Sequence, residues 1–184
     1  MSAVQALETS FEKKGLVMVL TGDGKGKTTS AFGQALRAIG HGYQVCMIQF
    51  MKRRKYGEIL ATEKYLPGLT IIQSGLDSFV IKGHPSPSDL DLAQKGLKKA
   101  KEIMKSQEYF LLILDEINVA VDFHLISETE VLELMKRKPP ELHLLLTGRY
   151  ATQKIMDAAD MVSEITQIRH HYDKGIVGQM GIEY

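Results

Sequence analysis

The chain has 184 residues, a formal net charge of +1 and 44% hydrophobic residues. This length suits one domain with a sizeable core, and the balanced charge excludes a whole-protein field that would gather nucleic acid or an anionic membrane. The single cysteine, Cys46, excludes an intrachain disulfide and is expected in the core. The first residues lack the apolar stretch of a signal peptide, and no apolar run could span a bilayer, so we expect a cytoplasmic protein.

Apolar strands alternate with amphipathic helices along the chain. We expect a polar arm at 1–14 and one nucleotide-binding domain at 15–184. The sequence predicts strands at 16–21, 43–50, 69–73, 109–116, 142–149 and 161–168, and helices at 27–39, before Tyr65, from Ser88 with a capping box to Asp91, at 127–138 and at 151–159. Strands that are apolar on both faces are typical of an α/β fold with a mostly parallel central sheet flanked by helices.

A glycine-rich segment, TGDGKGKTTSAFG at 21–33, joins the first strand to the first helix. Glycines let backbone N–H groups approach a phosphate, and the helix N-terminus adds donors and the positive end of its dipole. Lys27 stands where a lysine reaches the β- and γ-phosphates, and Thr28 where a hydroxyl can ligate Mg²⁺. The segment is a variant of G-x-x-x-x-G-K-[ST], because Thr21 replaces the first glycine and Gly22 comes one residue late. It predicts a P-loop, RecA-like fold.

Two carboxylates, Asp115 and Glu116, end the most hydrophobic strand, LLILDE. Charged side chains after a buried strand are costly without a partner, so we expect them to hold Mg²⁺ directly or through water. The alternative is that they cap the next segment. Together with the loop they predict binding of a magnesium nucleoside triphosphate, which motor ATPases, kinases, GTPases and transferases all share.

The segment TGDGKGKTTSAFGQALRAIGHGYQVCMIQFMK resembles the opening of the P-loop ATP:corrinoid adenosyltransferases. The similarity continues through LILDEINVAVDFHLI, LLLTGRYA, DAADMVSEI and HHYDKGIVGQMGIEY, and covers about residues 15–184. The resemblance implies that a reduced corrinoid, as Co(I), attacks the 5′-carbon of the ribose of ATP and that triphosphate leaves whole. It also implies a nucleotide that lies reversed relative to ordinary P-loop proteins. No general base is expected, because the nucleophile carries no proton.

The resemblance also implies site residues. Lys25 and Lys27 would neutralise the leaving triphosphate, while Thr28 and Glu116 would hold Mg²⁺ or Mn²⁺. Arg37 and Arg149 are weaker candidates, each of which could equally be a surface or ion-paired arginine. The expected nucleotide and corrinoid contacts are Gly22, Asp23, Gly24, Lys25, Gly26, Lys27, Thr28, Thr29, Arg37, Phe79 and Arg149.

The chain departs from the family pattern at two places. The family often carries a G-F-T-W-like segment whose aromatic residues press on the corrin; here Phe79 matches, but Ile81 stands in place of the tryptophan. Isoleucine can still exclude a lower axial ligand by its bulk, so we expect a change in corrinoid affinity or choice; alternatively, Phe79 is an ordinary core residue. Lys52 matches the family's lysine after QF, whereas Arg53 replaces the usual glycine.

The partners implied by the resemblance are the corrinoid, an electron donor such as a reduced flavoprotein, and a second copy of the chain that residues 1–14 could reach. No membrane or nucleic-acid partner is expected. One alternative is a small RecA-like ATPase or kinase that acts on a protein or nucleic acid, supported by KRRK at 52–55; another is a nucleotide sensor or corrinoid carrier without turnover. His170 and His171 are expected in a turn or at a strand end, because added axial ligands oppose reduction to Co(I).

Overall fold

Six parallel strands form one central sheet in the computed structural model, which describes residues 14–77 and 80–184. The strands are β1 (Val17–Thr21), β2 (Val45–Phe50), β3 (Leu69–Ser74), β4 (Leu111–Asp115), β5 (His143–Thr147) and β6 (Met161–Glu164). The helices are α1 (Lys27–Gly40), α2 (Gly57–Tyr65), α3 (Pro87–Ser106), α4 (Ile117–Asp122), α5 (Glu128–Lys136) and α6 (Gln153–Asp157), followed by a 3₁₀ helix (His171–Lys174). The strand order is β3-β2-β4-β5-β1-β6, and every strand pairing is parallel.

Alternate residues of strands β1 to β5 enter two hydrophobic layers, because successive side chains of a strand point to opposite faces. On one face, Cys46 and Ile48 of β2 pack with α3 through Leu97. On the other face, Met47 packs with α1 through Ala35. The predicted fold class, a mostly parallel sheet flanked by helices, is therefore confirmed. Cys46 is buried as predicted, and burial raises the pKa of its thiol to about 12.

Two predicted boundaries are wrong, and one helix was not predicted. Helix α3 begins at Pro87, after Ser86, and the capping box is formed by Ser86 and Asp89 rather than by Ser88 and Asp91. Proline is favoured in the first turn of a helix because the N–H it lacks has no partner there. Strand β6 ends at Glu164, four residues early, and the sequence did not predict the short helix α4.

The carboxyl ends of the strands indicate where a functional site lies. Thr21, Asp115 and Thr147 end β1, β4 and β5, and all three are buried polar residues at the carboxyl edge of the sheet. Ligands of open parallel sheets bind at this edge, where the loops that leave the strands surround a crevice. None of the helices in the described residues is long and apolar enough to cross a membrane.

Candidate active site

A cleft of about 870 Å³ opens at the carboxyl edge of the sheet. One wall is the glycine-rich loop, residues 24–29, and the floor includes Lys52, Glu116 and Arg149. The opposite wall comes from the C-terminal segment, including residues 181–184. Three distant parts of the sequence therefore build one cleft.

The loop glycines are required by packing, as well as by the approach of backbone N–H groups to a phosphate. A Cβ at Gly22 would lie 2.5 Å from the carbonyl oxygen of Ile165, and one at Gly24 would lie 2.8 Å from it. The N–H of Gly24 donates to this same carbonyl at 2.7 Å. A Cβ at Gly26 would meet only Ile165 Cδ1, at 3.9 Å, but Gly26 has a φ of +123°, a conformation that side chains disfavour. Gly22 and Gly24 thus let the segment after β6 lie against the loop.

The Lys27 side chain is held by hydrogen bonds to the backbone of its own loop. Its Nζ donates to the carbonyl oxygens of Gly22 and Gly24, both at 2.7 Å, and the residue is only 7% exposed. Burial lowers the pKa of Lys27, and the nearby Arg149 lowers it further. An ammonium group has three N–H donors, so one remains for a ligand in the cleft.

Asp115 organises the floor of the cleft. Its Oδ1 accepts from the hydroxyl of Thr28 at 2.9 Å and from that of Thr147 at 2.7 Å. Its Oδ2 accepts from Lys52 Nζ at 2.9 Å and, more weakly, from Gln49 Nε2 at 3.4 Å. Because Asp115 is fully buried and both oxygens are occupied, it positions Thr28 and Lys52 rather than facing the cleft.

Lys52 and Glu116 form the charged surface of this floor, with Nζ and Oε1 4.0 Å apart. Burial alone would lower the pKa of Lys52, but the carboxylates of Asp115 and Glu116 outweigh it and raise that pKa. Burial raises the pKa of Glu116, and Lys52 opposes this effect. Glu116 has a φ of 63°, and its N–H donates to Thr147 Oγ1 at 3.1 Å, which fixes the backbone in this unusual conformation.

The oxygen donors of the cleft fit a magnesium ion. Thr28 and Glu116 both line the cleft and offer a hydroxyl and a carboxylate. Mg²⁺ prefers such hard oxygen ligands and commonly takes one or two from the protein, with phosphate oxygens and water completing its shell. Asp115 acts one layer behind, through its hydrogen bond to Thr28.

Most of the predicted site residues lie together. The cleft is lined by Gly24, Lys25, Gly26, Lys27, Thr28, Thr29, Glu116 and Arg149. Gly22 lies beside them in the loop, and Asp23 is exposed at its tip. Phe79 falls outside the described residues, and its neighbour Ile81 is 67% exposed.

The structure does not bring Arg37 into the cleft, and its contact with the nucleotide stays a prediction. Arg37 is exposed in the last turn of α1 and is absent from the cleft lining. A helix rises 1.5 Å per residue, which carries Arg37 about 13 Å along the axis from Thr28.

Sequence reasoning missed the C-terminal wall. Residues 167, 170, 172, 173 and 181–184 line the cleft, and Glu183 Oε1 lies 3.6 Å from Lys25 Nζ. The available signal was the terminal GQMGIEY, which carried the resemblance but received no role. Lys52 was matched to the family without a function, and its hydrogen bond to Asp115 now gives it one.

The structure also bears on two weaker interpretations. The imidazole of His170 caps the 3₁₀ helix by accepting from the N–H of Tyr172, in keeping with the predicted turn role. In KRRK, Lys52 belongs to the cleft, Arg54 pairs with Asp77, and Lys55 pairs with Glu63. The basic run is therefore largely neutralised within the chain and gives no support to the nucleic-acid alternative.

Comparison with known proteins identifies the family. The family model described as ATP:corrinoid adenosyltransferase BtuR/CobO/CobP matches residues 13–184. The chain belongs to this ATP:corrinoid adenosyltransferase family. It is 34% identical to a corrinoid adenosyltransferase of Sinorhizobium sp., covering 97% of this chain and 84% of the relative.

Other relatives and a solved structure agree with this placement. Corrinoid adenosyltransferases of Escherichia coli and Salmonella typhimurium are each 32% identical over 94% of this chain and 87% of the relative. The crystal structure of the RadB recombinase shares the fold, with a TM-score of 0.54 at 13% identity over 92% of this chain and 82% of that one. This member of the adenosyltransferase family thus has a RecA-like P-loop fold.

Proposed function

We propose that the protein transfers the 5′-deoxyadenosyl group of ATP to the Co(I) of a reduced corrinoid, with release of triphosphate, in adenosylcobalamin synthesis or salvage. Membership of the ATP:corrinoid adenosyltransferase family supports this function. The observation that carries it is the Lys27 side chain, whose Nζ is held by two carbonyl oxygens of the glycine-rich loop in the wall of a cleft of about 870 Å³. A polyanion is the ligand that such a set of N–H donors and ammonium groups favours.

The proposed step is a displacement at carbon. The electron pair of Co(I) forms the cobalt–carbon bond, the bond from C5′ to the bridging oxygen breaks, and its electron pair leaves with the triphosphate. Lys25, Lys27 and the N–H groups of the loop stabilise the charge that develops on this leaving group. No side chain has to remove a proton, so the cleft needs no general base.

We assign Thr28 and Glu116 to Mg²⁺ or Mn²⁺, which supplies positive charge to the triphosphate when bound. Asp115 orients the Thr28 hydroxyl, and Lys52 balances the charge of Asp115 and Glu116. Arg149 lines the cleft and would add a further contact to the nucleotide. The remaining loop residues, Gly22, Asp23, Gly24, Gly26 and Thr29, would enclose the phosphates.

The corrinoid would meet the loop that follows β3. Ile81 is 67% exposed, so an apolar side chain is available there to a flat ring. We propose that Ile81 and Phe79 press on the corrin and keep a lower axial ligand away from cobalt. An isoleucine covers less of the ring than a tryptophan, and we therefore expect weaker corrinoid binding than in relatives with the aromatic residue.

Three wider proposals accompany this activity. The chain would act as a homodimer, since exposed apolar residues such as Met161, Val162 and Met180 lie on β6 and in the C-terminal segment. A reduced flavoprotein would supply the electrons for Co(I), and the reaction would take place in the cytoplasm, with which a lone buried cysteine agrees. Residues 15–184 would form one nucleotide-binding domain, with residues 1–14 as an arm.

The deciding experiment is an anaerobic assay with ATP, Mg²⁺ and chemically reduced corrinoid. We expect the visible spectrum to report a new cobalt–carbon bond, with intact triphosphate released in equal amount. Release of ADP and phosphate without alkylation would instead favour the ATPase or kinase alternative. Nucleotide binding without any transfer in a single turnover would favour a sensor or carrier.

A further inference from the structure

Three potential metal ligands cluster in the C-terminal segment. A ring nitrogen of His170, one of His171 and a carboxylate oxygen of Glu183 lie within 4.8 Å of one another. His171 begins the 3₁₀ helix and His170 is its N-cap. A turn in which the N–H of Glu183 donates to the carbonyl of Gln179 at 2.8 Å returns Glu183 toward them. This arrangement depends on backbone structure and not on long flexible side chains alone.

Two atoms of this cluster are buried and lack a hydrogen-bond partner within the described part of the chain, although Lys25 Nζ lies 3.6 Å from one of them, Glu183 Oε1. His171 Nε2 and Glu183 Oε1 are inaccessible to solvent, and neither makes a hydrogen bond among the described residues. They lie 3.9 Å apart, which is too far for a hydrogen bond between them. Leaving such groups unsatisfied is unfavourable, and an ion between the two atoms would satisfy both.

The donor set defines the class of ion. Two imidazole nitrogens and one carboxylate oxygen suit zinc and neighbouring transition metals, whereas magnesium prefers oxygen ligands alone. Zinc lies about 2.0–2.2 Å from such donors, so tetrahedral ligands are roughly 3.4 Å apart. The gap of 3.9 Å between His171 Nε2 and Glu183 Oε1 therefore has to close only slightly around an ion.

We propose that His170, His171 and Glu183 form a second cation site, for a divalent ion of the zinc class, separate from the oxygen-donor site at Thr28 and Glu116. Lys25 Nζ, 3.6 Å from Glu183 Oε1, is then replaced as the counter-charge of that carboxylate. The Lys25 side chain is 40% exposed and can turn into the cleft when the ion binds. His170 and Glu183 also line the cleft, so a fourth position of the ion is open to water or to a ligand oxygen.

The test uses Co²⁺ as a spectroscopic probe on the full chain, freed of metal, without ATP or corrinoid. We expect one Co²⁺ per chain with the visible absorption of a tetrahedral, imidazole-bound ion, displaced by Zn²⁺ but not by Mg²⁺. His171→Ala and Glu183→Gln should each weaken Co²⁺ binding by on the order of 10–100-fold or more. The exposed His84→Ala and the magnesium-site variant Glu116→Gln serve as matched controls and should bind Co²⁺ as the wild type does.

Imidazole nitrogen NMR of the wild-type protein reads the site without any substitution, so a variant that fails to fold does not obscure the result. We expect the His171 signals to shift when Zn²⁺ is added. His171 signals that do not respond to Zn²⁺ would overturn the proposal. So would Co²⁺ binding that survives His171→Ala and disappears in Glu116→Gln. Neither readout depends on adenosyl transfer, so failure here leaves the proposed function untouched.

Discussion

The two ends of the central sheet are stabilised by different interactions. At the carboxyl end, a fully buried carboxylate, Asp115, is held by two hydroxyl groups and the ammonium of Lys52. At the amino end, Tyr43 stacks on Phe110 at 3.9 Å, and Phe110 meets His143 at 4.5 Å. Packing secures the amino end, whereas the carboxyl end keeps costly buried charge whose value lies in what it positions for a ligand. Substitutions at the two ends should therefore fail in different ways.

The largest effect is expected from Lys27→Ala at the carboxyl end. Loss of a preorganised donor to a developing charge costs about 10²–10³-fold in rate, so adenosyl transfer should slow by at least about 10²-fold. Single-turnover alkylation of the reduced corrinoid measures it. Lys95→Ala, on the exposed face of α3, is the matched control and should transfer at the wild-type rate. Turnover of Lys27→Ala close to wild type would contradict the assignment of the loop.

Next in size is Lys52→Met, which removes the cation beside Asp115. A buried charge that loses its partner destabilises a protein by about 3–5 kcal/mol, and the hydroxyl groups that remain on Asp115 keep the expected loss near 3 kcal/mol. Urea denaturation gives the free energy of unfolding. Lys55→Met breaks an exposed pair with Glu63 and should cost under about 1 kcal/mol. Equal losses in the two variants would mean that the Asp115 network does not stabilise the fold.

A smaller effect is expected from Gly24→Ala, which tests the contact of the loop with Ile165. The added Cβ would lie 2.8 Å from a backbone carbonyl, and such overpacking costs about 1–3 kcal/mol. Gly33→Ala is the opposite control, because a Cβ there meets nothing within 4 Å and alanine favours the helix by about 0.5–1 kcal/mol. The two variants should move the free energy of unfolding in opposite directions, and a stabilising Gly24→Ala would refute the packing role.

The smallest effect lies at the amino end and depends on pH. Burial, followed by the charge of Lys138, lowers the pKa of His143 below its ordinary value of 6.5, and its Nδ1 accepts from the N–H of Leu16 at 3.2 Å. The folded state therefore binds the proton less readily than the unfolded state. The contribution of neutral His143 to the stability of the fold is present above about pH 6.5 and is lost as the pH falls toward the lowered pKa.

His143→Asn retains an acceptor near the same position and removes the titration. We expect the difference in unfolding free energy between wild type and variant to shrink as the pH falls from about 7.5 to about 5. At each pH, the two proteins should bind ATP with the same affinity. Any change in affinity caused by protonation of Glu116 would occur in both. A difference that grows on acidification would show that His143 gains a proton on folding.

Local patterns determined most of the fold and the loop. Apolar runs marked the six strands, and the order of strand, glycines, Lys27 and Thr28 marked the triphosphate loop, because each depends on neighbours within a few residues. Boundaries failed where another local signal competed, as when Pro87 moved the start of α3 ahead of Ser88. The sequence indicated Asp115 and Glu116 as site residues. It did not indicate that Asp115 is fully buried whereas Glu116 lines the cleft.

The tertiary structure decided what the site residues touch. Lys52 and Asp115 are 63 positions apart in the chain and meet only because β2 and β4 pair in the sheet. The requirement for glycine at 24 comes from Ile165, and the second wall of the cleft comes from residues near the C-terminus. Such contacts depend on how distant segments pack, which the periodicity of one segment does not encode. The sequence thus determined which chemical groups are available, and the packing of the sheet determined which of them come together in the site.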